Sequence, residues 1–169
     1  MLMMLQDLKL GLKWPNDIYY NGRQKIGGVL VTTSIVGSEV TAAIGCGLNL
    51  DNARPTTCLN HIIQDYIDNG PCLSLEALLA LTFNQFESLL DSVDRGALEQ
   101  VLDLYHQNWL HSNVQVEVRE HAGKVVIPAC ILGLDQYGFL RVRKEDGCIV
   151  SVHPDGNSFD MLRGLIVPK

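Results

Sequence analysis

Positive charge is scarce in this sequence. Lys and Arg number 13 against 19 Asp and Glu in 169 residues, a formal net charge of −6. No clustered basic run is present of the kind that releases counterions from a phosphate backbone, so DNA and RNA are not expected partners. No apolar run is long enough to cross a bilayer. The opening Met1 to Lys9 is apolar but has neither a basic leader nor a small-residue cleavage site, so neither secretion nor membrane insertion is expected. The five cysteines, Cys46, Cys58, Cys72, Cys130 and Cys148, show no C-x-x-C spacing, and their odd number cannot close a complete disulfide framework. Reduced thiols in the cytoplasm are the expectation. His61, His106, His111, His121 and His153 lack ligand spacing such as H-E-x-x-H; no metal site is expected of them, and surface or capping roles suit most. There is no internal repeat, no P-loop Gly-Lys-Ser and no third glycine to complete a dinucleotide fingerprint.

What is present is enough for a core: 47% of the residues are hydrophobic, which suits one domain or a domain with a small appendage. Leu10–Trp14, Ile18–Tyr20, Ile26–Ile35 and Val40–Leu48 are rich in Val, Ile, Thr and Tyr, with hairpin signals at Asn21-Gly22 and Gly37-Ser38, and predict an antiparallel meander. The period then changes. Leu75, Leu78, Leu79, Phe83, Phe86, Leu89, Leu90 and Val93 form a helical stripe opened by Ser74 and closed near Gly96, and Leu98, Val101, Leu102, Tyr105 and Trp109 form a second. A shorter helix is predicted over Leu59–Ile67, stopped by Asn69-Gly70-Pro71. The helices are expected to cover one face of the sheet. After Ser112 the period returns to two through Val114, Val116 and Val118, Val125–Leu134, Phe139–Val142 and Ile149–Val152, with turns at Tyr137-Gly138 and Asp146-Gly147, which predicts a small barrel. The expected class is α+β, with a domain over residues 1–110 and a small β-barrel over 111–169.

Three segments carry candidate chemistry. Lys13-Trp14-Pro15-Asn16-Asp17 ends a strand and sets a cation, an amide and a carboxylate around a proline that fixes φ; read plainly, it is a turn with a core tryptophan and a solvated lysine. In Lys25-Ile26-Gly27-Gly28, two glycines follow a lysine inside a strand, where glycine weakens packing unless a ligand or another backbone comes close; a β-bulge is the plain alternative. Gly45-Cys46-Gly47-Leu48-Asn49 interrupts an apolar strand with small residues in the same way, a surface suited to a flat ring. Asp155-Gly156-Asn157 reads as a turn, and Glu117, Glu120, Glu145 and Asp146 as solvated strand edges.

In this order and spacing the three segments resemble the core motifs of the biotin–protein ligases. The resemblance to the animal holocarboxylase synthetases continues through Tyr19-Tyr20, the helices and His153 to Asp160. It implies a class II synthetase-like catalytic domain followed by an SH3-like barrel. The implied activity condenses biotin with ATP to biotinyl-5′-AMP, then transfers biotin to a lysine on the carrier domain of a biotin-dependent carboxylase. Mg2+ would accompany ATP, and a homodimer and a mitochondrial as well as a cytoplasmic location fall within the same resemblance. Carried over by position, Lys13 and Lys25 face the phosphate and acyl-adenylate oxygens, and Asp17 accepts or orients the proton of the attacking lysine. Trp14, Asn16, Gly27 and Gly28 line the site, and Gly45, Gly47, Leu48 and Asn49 the adenine pocket. Fixed cations in a dry site stabilise the charge that builds on the phosphoryl centre. The pattern departs at one place: the family's Gly- and Arg-rich loop lies N-terminal to the Lys-Trp-Pro-Asn-Asp segment, and only 12 residues precede Lys13 here. Two alternatives therefore stand beside the ligase: an incomplete fragment acting as a carrier-binding or regulatory module, and a related lipoate or octanoyl transferase.

Overall fold

The computed structural model describes residues 8–52, 56–67, 70–120, 125–154, 157–161 and 163–168. Expectations resting on residues 1–7, Asn69, His121 and the Asp155-Gly156 pair lie outside the described residues, as does the side chain of Glu120. The chain divides into two compact units: Met1–Leu12 with Asn16–Asn108, and Lys13–Pro15 with Trp109–Lys169.

In the first unit β1 (Leu10–Lys13), β2 (Asp17–Tyr20), β3 (Gln24–Val36) and β4 (Glu39–Leu48) form one sheet in that order. The turn between β2 and β3 has Asn21 and Gly22 at φ 50° and 64°, the positive values that an Asn-Gly hairpin requires. β3 and β4 pair antiparallel over ten positions, from Gly27 opposite Leu48 to Val36 opposite Glu39. Three helices follow: α1 (Leu59–Tyr66), α2 (Leu75–Asp94) and α3 (Leu98–Asn108). Ser74 caps α2 by accepting the Ala77 amide at 3.2 Å, and Gly96 follows its end at φ 81°.

The core of this unit joins Ile26 of β3 to Leu59, Ile62 and Ile63 of α1 through Leu8, Leu50 and Leu73, with Leu78 and Leu81 of α2 packed at its margin. Asn60 is buried within it. Its amide oxygen accepts the Leu73 amide at 2.7 Å while its NH2 donates to the Leu73 carbonyl at 3.0 Å, which satisfies the chain entering α2.

The helices cover the sheet less fully than the sequence pattern predicts. No residue of α2 is fully buried, and its stripe stays open at Leu75 (56% exposed), Leu79 (46%) and Phe83 (65%). The outer part of the β3–β4 hairpin is open too, with Leu30, Ile35, Val36 and Val40 each between 65% and 77% exposed. Periodicity marks which face of an element is apolar; it does not state what lies against that face.

The second unit holds β5 (Gln115–Glu120), β6 (Val125–Leu134), β7 (Leu140–Lys144), β8 (Ile149–Val152), β9 (Asn157–Asp160) and β10 (Leu165–Pro168) in the order β8-β7-β6-β5-β10-β9. All its pairings are antiparallel except β5 with β10. Alternation sets the core: Leu140 and Val142 of β7 are wholly buried while Arg141 and Arg143 are exposed, and Val116 and Val118 of β5 point the same way inward. Burial of each such aliphatic side chain stabilises by roughly 2 kcal/mol.

Contiguous exposed apolar surface of this kind binds hydrophobic dyes. The folded chain is expected to enhance anilinonaphthalene sulfonate fluorescence in native buffer. Paired Leu79→Gln and Phe83→Gln substitutions should lower that signal while changing unfolding free energy by less than about 0.5 kcal/mol each. A native chain that leaves the dye dark would show the stripe to be covered.

Candidate functional site

Asn16 and Asp17 are stitched to β3. The Val29 amide donates to the Asn16 carbonyl at 2.8 Å, the Asn16 NH2 donates to the Val29 carbonyl at 2.7 Å, and Lys25 Nζ lies 2.5 Å from Asp17 Oδ1. The ion pair is half-open, with the lysine side chain 50% exposed and the carboxylate 17%. A pair this accessible adds little to stability; its effect is to hold an ammonium at the lip of the cleft beside it.

That cleft has a volume of about 720 Å³. Asn16, Asp17, Lys25, Gly27, Gly28, Gly45, Gly47, Leu48 and Asn49 all line it, joined by Val29, Leu30 and Cys46. The four glycines are not equivalent. A Cβ on Gly27 would lie 2.5 Å from the Gly47 carbonyl oxygen and 2.8 Å from Leu48 Cδ1, so only glycine lets β3 approach β4 there. On Gly28 it would meet the Asn16 carbonyl at 3.1 Å and Asp17 Oδ1 at 3.2 Å. On Gly47 it would meet nothing within 4 Å, and on Gly45 only the Leu30 carbonyl at 3.9 Å. Packing within the chain therefore accounts for Gly27 and Gly28 and leaves Gly45 and Gly47 bare toward open space.

Asn49 lines the cleft and is also tied into the loop that follows β4. Its NH2 donates to the Thr57 carbonyl at 3.3 Å, its side-chain oxygen accepts from Asn52 at 2.9 Å, and its backbone amide donates to the Ile26 carbonyl at 2.7 Å. It staples the loop after β4, as Thr56 does from the other side by donating to the Lys25 carbonyl at 2.7 Å.

Lys13 and Trp14 are not among the residues lining the cleft; they belong to the second unit. Trp14 is 2% exposed, and its indole N–H donates to the Gly138 carbonyl at 3.1 Å. Its amide donates at 3.0 Å to Nε2 of His111, a residue 97 positions away. Lys13 Nζ stands 5.9 Å from the centroid of the Phe159 ring, at the outer reach of a cation–π contact. His111 is an exception to the surface or capping roles expected of most of the histidines. Instead of capping or facing solvent it is fully buried, between Trp109 and Phe159 at ring-centroid distances of 5.6 and 4.9 Å. Burial, reinforced by the nearby Lys13 charge, lowers its pKa from 6.5 to about 4. No residue spacing signals this role, although His111 stands two positions after a buried tryptophan. Among the described residues no three His, Cys, Asp or Glu side chains gather in a metal-binding group.

Gly27→Ala is expected to destabilise the fold by at least about 2 kcal/mol and Gly47→Ala by less than about 1 kcal/mol in denaturant unfolding. Equal costs would refute the difference in packing. His111 should also make stability pH-dependent. Between pH 6.5 and about 4 the unfolded chain takes up a proton that the folded chain does not. Stability contributed by the neutral ring is therefore full above pH 6.5 and lost as pH falls toward 4, by up to about 3 kcal/mol. His111→Gln should flatten that limb of the pH–stability curve.

Two family models match the chain: the Biotin/lipoate A/B protein ligase family over residues 4–49, and the Biotin protein ligase C terminal domain over residues 111–164. The chain is 44% identical over 168 residues to the Biotin--protein ligase of Homo sapiens, covering 97% of this chain and 23% of that protein. It is 38% identical over 160 residues to Biotin--protein ligase 2 of Arabidopsis thaliana, covering 94% of this chain and 48% of that one. It thus spans less than half the length of these curated relatives. Among solved structures, the biotin protein ligase of Aquifex aeolicus superposes with a TM-score of 0.63 at 19% identity, over 89% of this chain and 64% of that one. This likeness shows the fold: an α+β unit of sheet and helices followed by an SH3-like one. The chain thus carries a segment matching the Biotin/lipoate A/B protein ligase family, which holds the cleft, and a segment matching the Biotin protein ligase C terminal domain, which holds the strands of the second unit.

Proposed function

We propose that this chain provides the nucleotide-facing part of a ligase that activates biotin with ATP to biotinyl-5′-AMP and passes the biotin to a lysine of a carboxylase biotin-carrier domain. The observation that carries this reading is the cleft whose glycines at 45 and 47 no close contact among the described residues requires, with Lys25 held at its lip. Bare backbone admits a flat ring, and an ammonium steadied by Asp17 opposes the charge that develops on the phosphoryl group. In the transfer step Asp17 is the carboxylate placed to accept or orient the proton of the incoming lysine. A role for Lys13 as a second cation toward the phosphate rests on the family resemblance alone. Among the described residues Asp17 is the only carboxylate lining the cleft, so Mg2+ would be held through phosphate oxygens and water more than by protein ligands. Residues 1–110 act as the catalytic part and 111–169 as the appended barrel, in the cytoplasm, with the mitochondrion as a second compartment and a homodimer as the assembly. The match to the biotin ligase C-terminal domain favours biotin over lipoate.

A second reading, a carrier-binding or regulatory module without catalysis, is favoured by the open apolar stripe of α2 and by the limited share of its relatives that the chain covers. One experiment separates the two. With biotin and α-labelled ATP the chain should form biotinyl-adenylate, and Lys25→Ala should lower the rate by about 10²-fold or more while leaving thermal unfolding nearly unchanged. Carrier-domain binding without adenylate formation would support the module. Normal activity in Lys25→Ala would remove the lysine from the mechanism.

A further inference from the structure

The geometry points to His111 as the positioning residue of the Lys13-Trp14-Pro15 turn, the acceptor on which the Trp14 amide depends. This deepens the ligase reading and rests on it for the role of Lys13; the contacts themselves do not. Trp14 is the first residue past β1, and the next residue is a proline without an N–H. The turn therefore has a buried amide at Trp14 that must be matched, and the match is His111 Nε2 at 3.0 Å.

The state of the ring follows from that bond. An Nε2 that accepts an amide carries no proton, so the proton of the neutral ring sits on Nδ1. Nδ1 is buried and has no hydrogen-bond partner among the described residues. An unmatched buried donor costs stability, and an apolar side chain of similar shape would avoid that cost. What the apolar side chain could not do is accept the Trp14 amide. The nitrogen in use offsets the cost of the one without a partner.

The same ring is fixed from both sides. His111 meets Trp109 edge-on at 78° and Phe159 at 68°, and Phe159 is also the ring under Lys13 Nζ. The turn is thus pinned at two points of Trp14, the amide by His111 and the indole by Gly138, while Lys13 lies over the ring that His111 packs against. Burial and the Lys13 charge both keep the imidazole neutral and able to accept.

Nitrogen-15 spectra of the folded chain test this directly, together with amide hydrogen exchange. His111 Nε2 is expected to be unprotonated at neutral pH. Trp14 amide exchange should rise about tenfold or more in His111→Leu, beyond any change at core amides of β7, and return most of the way in His111→Gln, whose carbonyl can accept. A protonated Nε2, unchanged Trp14 exchange in His111→Leu, or a glutamine variant no better than leucine would each overturn the proposal. If the leucine variant does not fold, the wild-type nitrogen spectrum and the glutamine variant decide. A wild-type chain that does not bind a non-hydrolysable biotinyl-adenylate analogue would count against the ligase reading alone, because the spectra decide the role of His111 without it.

Discussion

The close approach of β3 and β4 at Gly27 governs the first unit. With the position of a missing Cβ only 2.5 Å from the Gly47 carbonyl, the two backbones run nearer than any side chain would permit. The ten-position ladder that starts there carries Ile26 into the core beside α1 and leaves the opposite side of the glycines as an open floor. One steric fact thus produces both the packing and the cleft. The contacts of Asn16 with Val29 and of Asp17 with Lys25 tie the strand before it to the same floor. Core and site share residues here, so changes meant to alter the site will be felt in stability wherever they touch Gly27 or Gly28.

The second unit works by a different device. Its barrel-like core is ordinary alternating aliphatic packing, but its aromatic end encloses a neutral histidine whose single used nitrogen holds a backbone amide from the beginning of the chain. Such a contact trades an unmatched donor for the definition of a turn. The Lys13 to Asp17 segment is consequently held by two sets of partners, Lys13 to Pro15 within the second unit and Asn16 with Asp17 within the first.

Much of this was legible in the sequence because period and turn chemistry are local. Asn21-Gly22, Ser74 and Gly96 behave as their residue types require, and the change of period after Leu50 and again after Ser112 marks sheet, helices and sheet. The grouping of Lys25, Gly27, Gly28, Gly45 and Gly47 was legible too, since residues that weaken a strand need a reason. What could not be read was partnership. The α2 stripe declares an apolar face and not its cover, the hydrogen bonds of Asn49 to Thr57 and Asn52 have no local signal, and His111 has no sequence neighbour that announces a contact 97 positions away. Long-range complementarity of single polar groups leaves no periodic trace.

The two sides of Gly27 and Gly47 therefore matter differently, one for folding and one for what enters the cleft. The most direct measurement is calorimetric titration of biotinyl-5′-AMP into the purified chain, with a Gly47→Leu variant alongside that fills the open floor without touching the core. Saturable binding of one equivalent by the native chain, abolished in the variant while its unfolding transition is retained, is the expected result. Equal binding by both proteins, or none by the native chain, would contradict the account.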